Sequence, residues 1–212
     1  GSEMCIRDRA QIDPHFLYNI LDTINWKAIE NEQYEISEML VALADILRYA
    51  INDAGEFTTI DAEKGWLEKY ILLQQEKLGE EIELEFKIQD SYGKCKIHKM
   101  LLQPFVENAI KYNHSGGKVT VNIHLSEEIT DTSTSVNYVF LEVSDTGIGI
   151  PPEYQEKIFT PFFRVDKSRS RAMGGAGLGL ALVSEIVRQH NGQVKVLESS
   201  KKGSMIAIIL PV

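Results

Sequence analysis

Cysteine is scarce in this chain of 212 residues: Cys5 and Cys95 are the only two. That is too few for a disulfide framework or a cysteine zinc site, and it fits a reducing compartment. Positive charge is also in deficit. Lys and Arg number 22 against 31 Asp and Glu, a formal net charge of −9 with a pI near 5.1. A nucleic-acid binder needs a basic face, so that function class is set aside. No apolar run approaches the roughly 18 residues a membrane span requires. What remains, at 43% hydrophobic and 25% charged residues, is the composition of a globular chain long enough for one large domain or two small ones. The opening Gly1-Ser2 resembles an appended leader, and residues 1–9 are expected to be an unstructured end. An abrupt start on a helix reads as a piece of a longer protein.

The stretch AQIDPHFLYNILDTINW, residues 10–26, begins a helical pattern. At about 100° per residue, Ile12, Phe16, Leu17, Ile20, Leu21, Ile24 and Ala28 form one stripe, while His15, Asn19 and Asp22 share the opposite side. Asp13 and Pro14 suit an N-cap and first helical residue, or else Pro14 kinks a helix arriving from upstream. A second stripe runs through Ile36, Met39, Leu40, Leu43, Ile46, Leu47 and Ala50, and Gly55 breaks it. A further helix is expected over 61–78, stopped by Gly79. Residues 10–79 therefore read as helix throughout. A two-helix hairpin cannot cover both stripes, so pairing with a second copy into a four-helix bundle is expected.

From residue 81 the period changes to two. Ile82, Leu84, Phe86 and Ile88 alternate with polar residues, as do Val119, Val121, Ile123 and Leu125. An acidic turn is expected over 126–135, then a strand over 136–145, and a closing hairpin over 193–199 and 204–212. Helices are expected near 98–113, 152–158 and 178–191. The fold class is α+β: a helical hairpin region followed by a two-layer α/β domain, a largely antiparallel sheet with helices on one face.

Four motifs fall in this second half. In LLQPFVENAIKYN, residues 101–113, Glu107, Asn108, Lys111 and Tyr112 can line a cleft, and an asparagine oxygen can ligate magnesium. In SDTGIGIPP, residues 144–152, an aspartate ending a strand can accept from an exocyclic amino group, and glycines let the backbone pass close to a flat ring. IFTPFFRVDKSRSR sets aromatics beside Arg164 and a short basic loop. GGAGLGLALVSEIV, residues 174–187, leads glycines into an apolar helix, whose first N–H groups suit phosphate. Each alone is most often an ordinary turn, loop or surface helix; the ordered set is far more specific.

In order and spacing the four resemble the N, first-glycine, F and second-glycine boxes of the GHKL ATPases, the Bergerat fold of histidine kinases, gyrase, MutL and Hsp90. PHFLYNILDTI, LADILRYAI and MLLQPFVENAIKYN are similar to the bacterial LytS/YesM-type sensor histidine kinases. The resemblance covers the chain from about Ala10 and implies residues 10–79 for dimerisation and phosphotransfer and 80–212 for ATP binding. It implies an ATP-dependent kinase that phosphorylates His15 and passes the group to an aspartate of a response regulator receiver domain. It implies Asp145 as the adenine acceptor with Gly147 and Gly149 beside it, and Asn108 as the Mg2+ ligand. Lys111, Arg164, Gly175, Gly177, Leu178 and Gly179 are implied around the phosphates, Tyr112 near the base, and 165–176 as a lid. Asn19, one turn from His15, resembles the residue that other histidine kinases use to hold a water against the regulator's aspartyl phosphate. Glu107 is the candidate for polarising the nucleophile, because Phe16 stands where many kinases carry an acid. Pro104 replaces an asparagine, His98 a proline and Tyr112 a histidine of the related patterns. A homodimer, a cytoplasmic domain of a bacterial inner-membrane sensor, and an anchored full-length protein are further implications. A catalytically degenerate nucleotide-binding scaffold and another GHKL ATPase, such as a serine-directed kinase, are the alternatives.

Overall fold

The computed structural model describes residues 13–51, 55–79, 81–129, 135–165 and 176–211. The first helix, α1 (Pro14–Glu30), starts at an Asp13 cap whose Oδ1 accepts the His15 N–H at 2.9 Å. A cap and a first-turn proline both suit a helix that starts here. The chain reverses at Asn31–Gln33 into α2 (Tyr34–Ile51). Ala28 and Ala42 are buried where the two helices meet, Ser37 donates to Asn25 at 2.6 Å, and the Arg48 guanidinium lies over the Tyr18 ring. Small residues at a crossing let the backbones approach but bury little area. The expected apolar stripes consequently stay open: Phe16, Ile20, Ile24, Ile36 and Leu43 are all exposed. Ile12 lies outside the described residues.

One expectation fails in this half. Residues 57–59 are not helical but form a short strand, β1 (Phe57–Thr59), antiparallel to β3 (Lys96–His98), with Thr58 opposite Ile97. Three residues are too few to show a period, and the partner strand is far along the chain. Thr59 then caps α3 (Ile60–Leu78), its Oγ1 accepting the Ala62 N–H, and Gly79 ends it.

The main sheet has five strands: β2 (Glu83–Ile88), β4 (Lys118–Ile129), β5 (Ser135–Asp145), β6 (Gln193–Ser200) and β7 (Gly203–Pro211). Their order is β2-β4-β5-β7-β6, with β2 and β4 parallel and the other pairs antiparallel. Half of the expected acidic turn is strand, since residues 126–129 pair with 135–138, and residues 130–134 lie outside the described residues. A main-chain ladder continues under polar side chains, so polarity alone does not mark its end. One face is covered by α3, α4 (Gln103–Lys111) and α5 (Gly179–Gln189). The stretch expected as a helix over 152–158 forms two 3-10 turns, Pro152–Tyr154 and Lys157–Phe159. Trp66, Leu67 and Ile71 of α3 share one buried cluster with Phe105 and Val106 of α4, Val119 and Val121 of β4, and Val183 and Val187 of α5.

Candidate functional site

Helix α4 is amphipathic in a way that sets its chemistry. Phe105, Val106, Ala109 and Ile110 are buried against the sheet, which turns Glu107, Asn108 and Lys111 to the other side. The Asn108 Nδ2 donates to the Pro104 carbonyl at 2.7 Å. A carbonyl acceptor requires the nitrogen there, so the amide oxygen points the other way. Glu107 accepts from Gln103 at 2.6 Å and is hydrogen-bonded by Tyr70 of α3. Burial, then the charge of Glu107, push the Tyr70 hydroxyl well above the usual tyrosine range. The Lys111 ammonium lies 5.4 Å from the Tyr112 ring centroid.

Asp145 ends β5, opposite Val119. Its Oδ1 accepts the Gly147 N–H at 2.8 Å. Burial pushes its carboxyl above the usual carboxylate range, while the Gly147 and Ser204 N–H groups pull it partly back. The loop that follows is tied to the end of α4. Ile148 N–H donates to the Tyr112 carbonyl, Thr146 Oγ1 donates to Asn113 Oδ1, and Asn113 Nδ2 donates to the Lys118 carbonyl. Farther on, Ile150 N–H donates to Ser199 Oγ at 2.7 Å. Gly149 has φ +76, and a Cβ there would run into the Ser200 carbonyl, so the loop can lie this close to β6 only with glycine.

At the opposite wall, Gly177 has φ +71, and its carbonyl accepts the Phe162 N–H at 2.9 Å. This bond joins the aromatic stretch carrying Arg164 to the start of α5. That helix begins at Gly179 with no side-chain cap, leaving its first N–H groups for a ligand. The result is one cleft of about 390 Å³ between α4, the end of β5 and the start of α5. Val143, Ile150, Ile158 and Ile206 supply its apolar walls.

Of the residues singled out from sequence, Glu107, Asn108, Lys111 and Tyr112 line this cleft from α4. Asp145 and Gly149 line it from the β5 loop, and Arg164, Gly177, Leu178 and Gly179 from the far wall. Gly147 is buried beside Asp145. Gly175 and residues 166–174 of the expected lid lie outside the described residues. His15 and Asn19 are not in the cleft; both are exposed on α1. Tyr70 and Ser204 were missed, and nothing local marks either: Tyr70 looks like a core aromatic and Ser204 like a hairpin serine. Among the described residues no group of three or more His, Cys, Asp or Glu side chains could hold a metal unaided.

A carboxylate beside glycines, an asparagine oxygen, two cationic side chains and an open helix start around an apolar floor suit a phosphorylated ligand with a flat, amino-bearing ring. Residues 96–212 match the family described as histidine kinase-, DNA gyrase B- and HSP90-like ATPases, and residues 8–82 match the histidine kinase family. The chain belongs to this ATPase family, in its histidine kinase branch. It is 30% identical over 206 residues to the sensor histidine kinase YesM of Bacillus subtilis (strain 168), covering 96% of this chain and 32% of that protein. It is 31% identical over 189 residues to the sensor histidine kinase WalK of the same strain, covering 84% and 29%. Over 187 residues it is 31% identical to the sensor histidine kinase CpxA of Escherichia coli (strain K12), covering 86% and 38%. The chain thus spans about a third of the length of these curated relatives. The fold is shared with a mycobacterial sensor histidine kinase, MprB, at TM-score 0.53 and 23% identity, over 74% of this chain and 96% of that one. It is also shared with the catalytic domain of the histidine kinase ThkA, at TM-score 0.51 and 22% identity, over 74% and 98%.

Proposed function

We propose that this chain is the kinase core of a two-component sensor, transferring the terminal phosphoryl group of ATP to His15 and from there to an aspartate of a response regulator receiver domain. One observation carries the reading: Asn108, Asp145 and the Gly177–Gly179 helix start converge on one cleft, while the same chain presents an exposed histidine on a separate hairpin. Asp145 accepts from the adenine amino group, with Gly147 and Gly149 letting the ring lie close. Gly177, Leu178 and Gly179 offer backbone donors to the phosphate chain, Gly175 is assigned to the same role on the sequence motif alone, and Lys111 and Arg164 neutralise charge. Tyr112 flanks the base. Magnesium is bound with few protein ligands and phosphate oxygens, and the Asn108 oxygen fits that donor set. When bound, the ion spreads the charge of the transferring group.

In the first step the His15 imidazole nitrogen attacks the γ-phosphorus. A P–N bond forms, the bond to the bridging oxygen of ADP breaks, and the imidazole proton leaves. We assign that proton's removal to Glu107, the acid next to Asn108, because Phe16 cannot take it. In the second step the P–N bond is exchanged for an acyl phosphate on the regulator. Asn19, one turn from His15, is proposed to hold a water in line when that acyl phosphate is hydrolysed. Since His15 is not in the cleft, the hairpin and the ATP-binding half must move together for the first step. We place the functional division of the chain near residue 80, with 10–79 for dimerisation and phosphotransfer and 80–212 for ATP. Helix α3 sits across that division, since its core side chains pack with the ATP-binding half. A homodimer and a membrane-anchored full-length sensor with this part in the cytoplasm complete the reading; no helix among the described residues is long and apolar enough to cross a membrane.

The test is incubation with γ-labelled ATP and Mg2+. Wild type should acquire label that acid removes and base does not, while His15→Ala should acquire none yet bind ADP normally by calorimetry. Base-labile, acid-stable label would identify a serine kinase instead. Bound ADP without any label would identify a scaffold.

A further inference from the structure

Among the described residues Glu63 is the only buried carboxylate, fully inaccessible on α3. A buried carboxylate without donors is strongly destabilising, so its partners matter. There are three. Oε2 accepts the Tyr49 hydroxyl at 2.5 Å and the Met100 N–H at 3.1 Å, and Oε1 accepts the Leu102 N–H at 3.2 Å. These donors come from two different parts of the molecule. Tyr49 lies in α2, the second helix of the hairpin. Met100 and Leu102 lead directly into α4, which carries Glu107, Asn108 and Lys111.

The α4 side of this contact has little local support. Met100 has φ +59, a conformation that a non-glycine residue keeps only when its surroundings hold it. Leu102, at the start of α4, has no side-chain oxygen to cap the helix. The Glu63 carboxylate takes the Leu102 N–H and places negative charge near the positive end of the helix. The α2 side is made by the Tyr49 hydroxyl, which donates to Glu63 and itself accepts from the Thr58 side chain and the Met100 N–H. The Tyr49 ring packs against Trp66, with centroids 6.1 Å apart, and the Lys99 ammonium lies over it at 4.9 Å. Lys69 of α3 also pairs with Asp45 of α2 at 2.5 Å, so α2 and α3 remain in contact when the hydroxyl is removed.

We propose that Glu63 is a positioning residue, a joint through which the placement of α2 is coupled to the start of α4 and hence to the nucleotide cleft. This rests on the kinase reading, in which the hairpin must approach bound ATP. Severing the joint on the Tyr49 side frees the hairpin while Glu63 still holds Met100 and Leu102. Nucleotide binding then persists and phosphotransfer changes. Severing it at Glu63 disturbs both, because the backbone donors lose their acceptor. Coupling works in both directions, so bound nucleotide must also restrain α2.

The experiment uses the 212-residue chain and compares wild type with Tyr49→Phe, Glu63→Gln and the double variant. Tyr49→Phe keeps the ring on Trp66 and should melt within a few degrees of wild type. Its ADP dissociation constant by calorimetry should stay within about twofold, while the rate of His15 phosphorylation at saturating ATP changes by about fivefold or more, a typical coupling. Glu63→Gln should weaken ADP binding, and adding Tyr49→Phe to it should have little further effect on the rate. A second readout needs no phosphotransfer: a non-hydrolysable ATP analogue should slow hydrogen exchange around Tyr49 in wild type but not in Tyr49→Phe. The proposal is overturned if Tyr49→Phe matches wild type in rate and exchange. It is also overturned if its ADP affinity and rate fall in parallel, as simple loosening of the fold would cause. Absence of label on wild-type His15 would instead count against the kinase reading, and the exchange comparison would then decide the joint.

Discussion

Asp145 holds a charge where the fold would rather have none. Its carboxyl is raised above the usual carboxylate range because burial outweighs the two backbone donors that face it. The sign of the consequence follows from linkage. A raised folded value means that this group's stabilising contribution is fully present below the ordinary carboxylate pKa of about 3.9 and is lost as pH rises through the folded value. At neutral pH the ionised Asp145 therefore works against folding in the absence of ligand. Asp145→Asn keeps an oxygen for the Gly147 N–H and removes the charge. The variant should melt at or above the wild-type temperature at pH 7, with the gap closing as pH falls toward 4, and should lose ADP affinity by about tenfold or more, since it gives up a hydrogen bond to a charged acceptor. Scanning calorimetry and titration calorimetry read the two effects separately. A variant that melts well below wild type at pH 7 would contradict this account of the site. Asn108→Ala tests a different atom. It should remove the Mg2+-dependent increment in nucleotide affinity and leave the metal-free affinity within about threefold, because the purine contacts lie elsewhere. An undiminished magnesium effect would take the metal away from Asn108.

At the scale of elements, α1 and α2 bury the least. Helices α3, α4 and α5 bury their apolar faces in the core beside the sheet, but the hairpin fully buries only Ala28 and Ala42, with Ile46 and Tyr49 of α2 partly buried against that core. Phe16 is 59% exposed and Ile36 47%. Continuous apolar stripes of this kind are uncommon on a monomer. A second hairpin packed against the first would cover them, and light scattering at tens of micromolar should report twice the 23.9 kDa chain mass. Replacing Ile24 with Glu puts a charge into that seam and should return the chain to a monomer with its ADP binding intact. A wild-type monomer at that concentration would refute the bundle. Trp26, 67% exposed, falls eleven residues after His15, hence on the same face of α1 and not in the stripe.

For the whole molecule, the change of period along the chain marks where helices give way to sheet. A 3.6-residue period through Ala50 and a two-residue period from Ile82 separate helices from sheet, and the glycine-bracketed motifs locate the cleft. These signals are local: each depends on residues within a few positions of one another, so sequence can carry them. Ten of the residues expected around a nucleotide do line one cleft, although they come from α4, the end of β5 and the start of α5.

Other features needed the third dimension. The β1–β3 pair is too short to have a period and joins distant segments. The extension of β4 and β5 through an acidic stretch depends on each strand having the other beside it. Tyr70 reaches Glu107 only because α3 packs alongside α4. Glu63 is the clearest case. In sequence it is one more acid near the start of a charged helix, where a carboxylate is ordinary. Only the packing of α2, α3 and the strand leading to α4 buries it and brings Tyr49, Met100 and Leu102 to its oxygens. Sequence by itself determined most of the elements and which residues gather around the cleft, because period and motif spacing act over short range. Tertiary structure alone decided which buried charge ties the hairpin to that cleft, because desolvation and its compensation depend on neighbours that the chain order does not reveal.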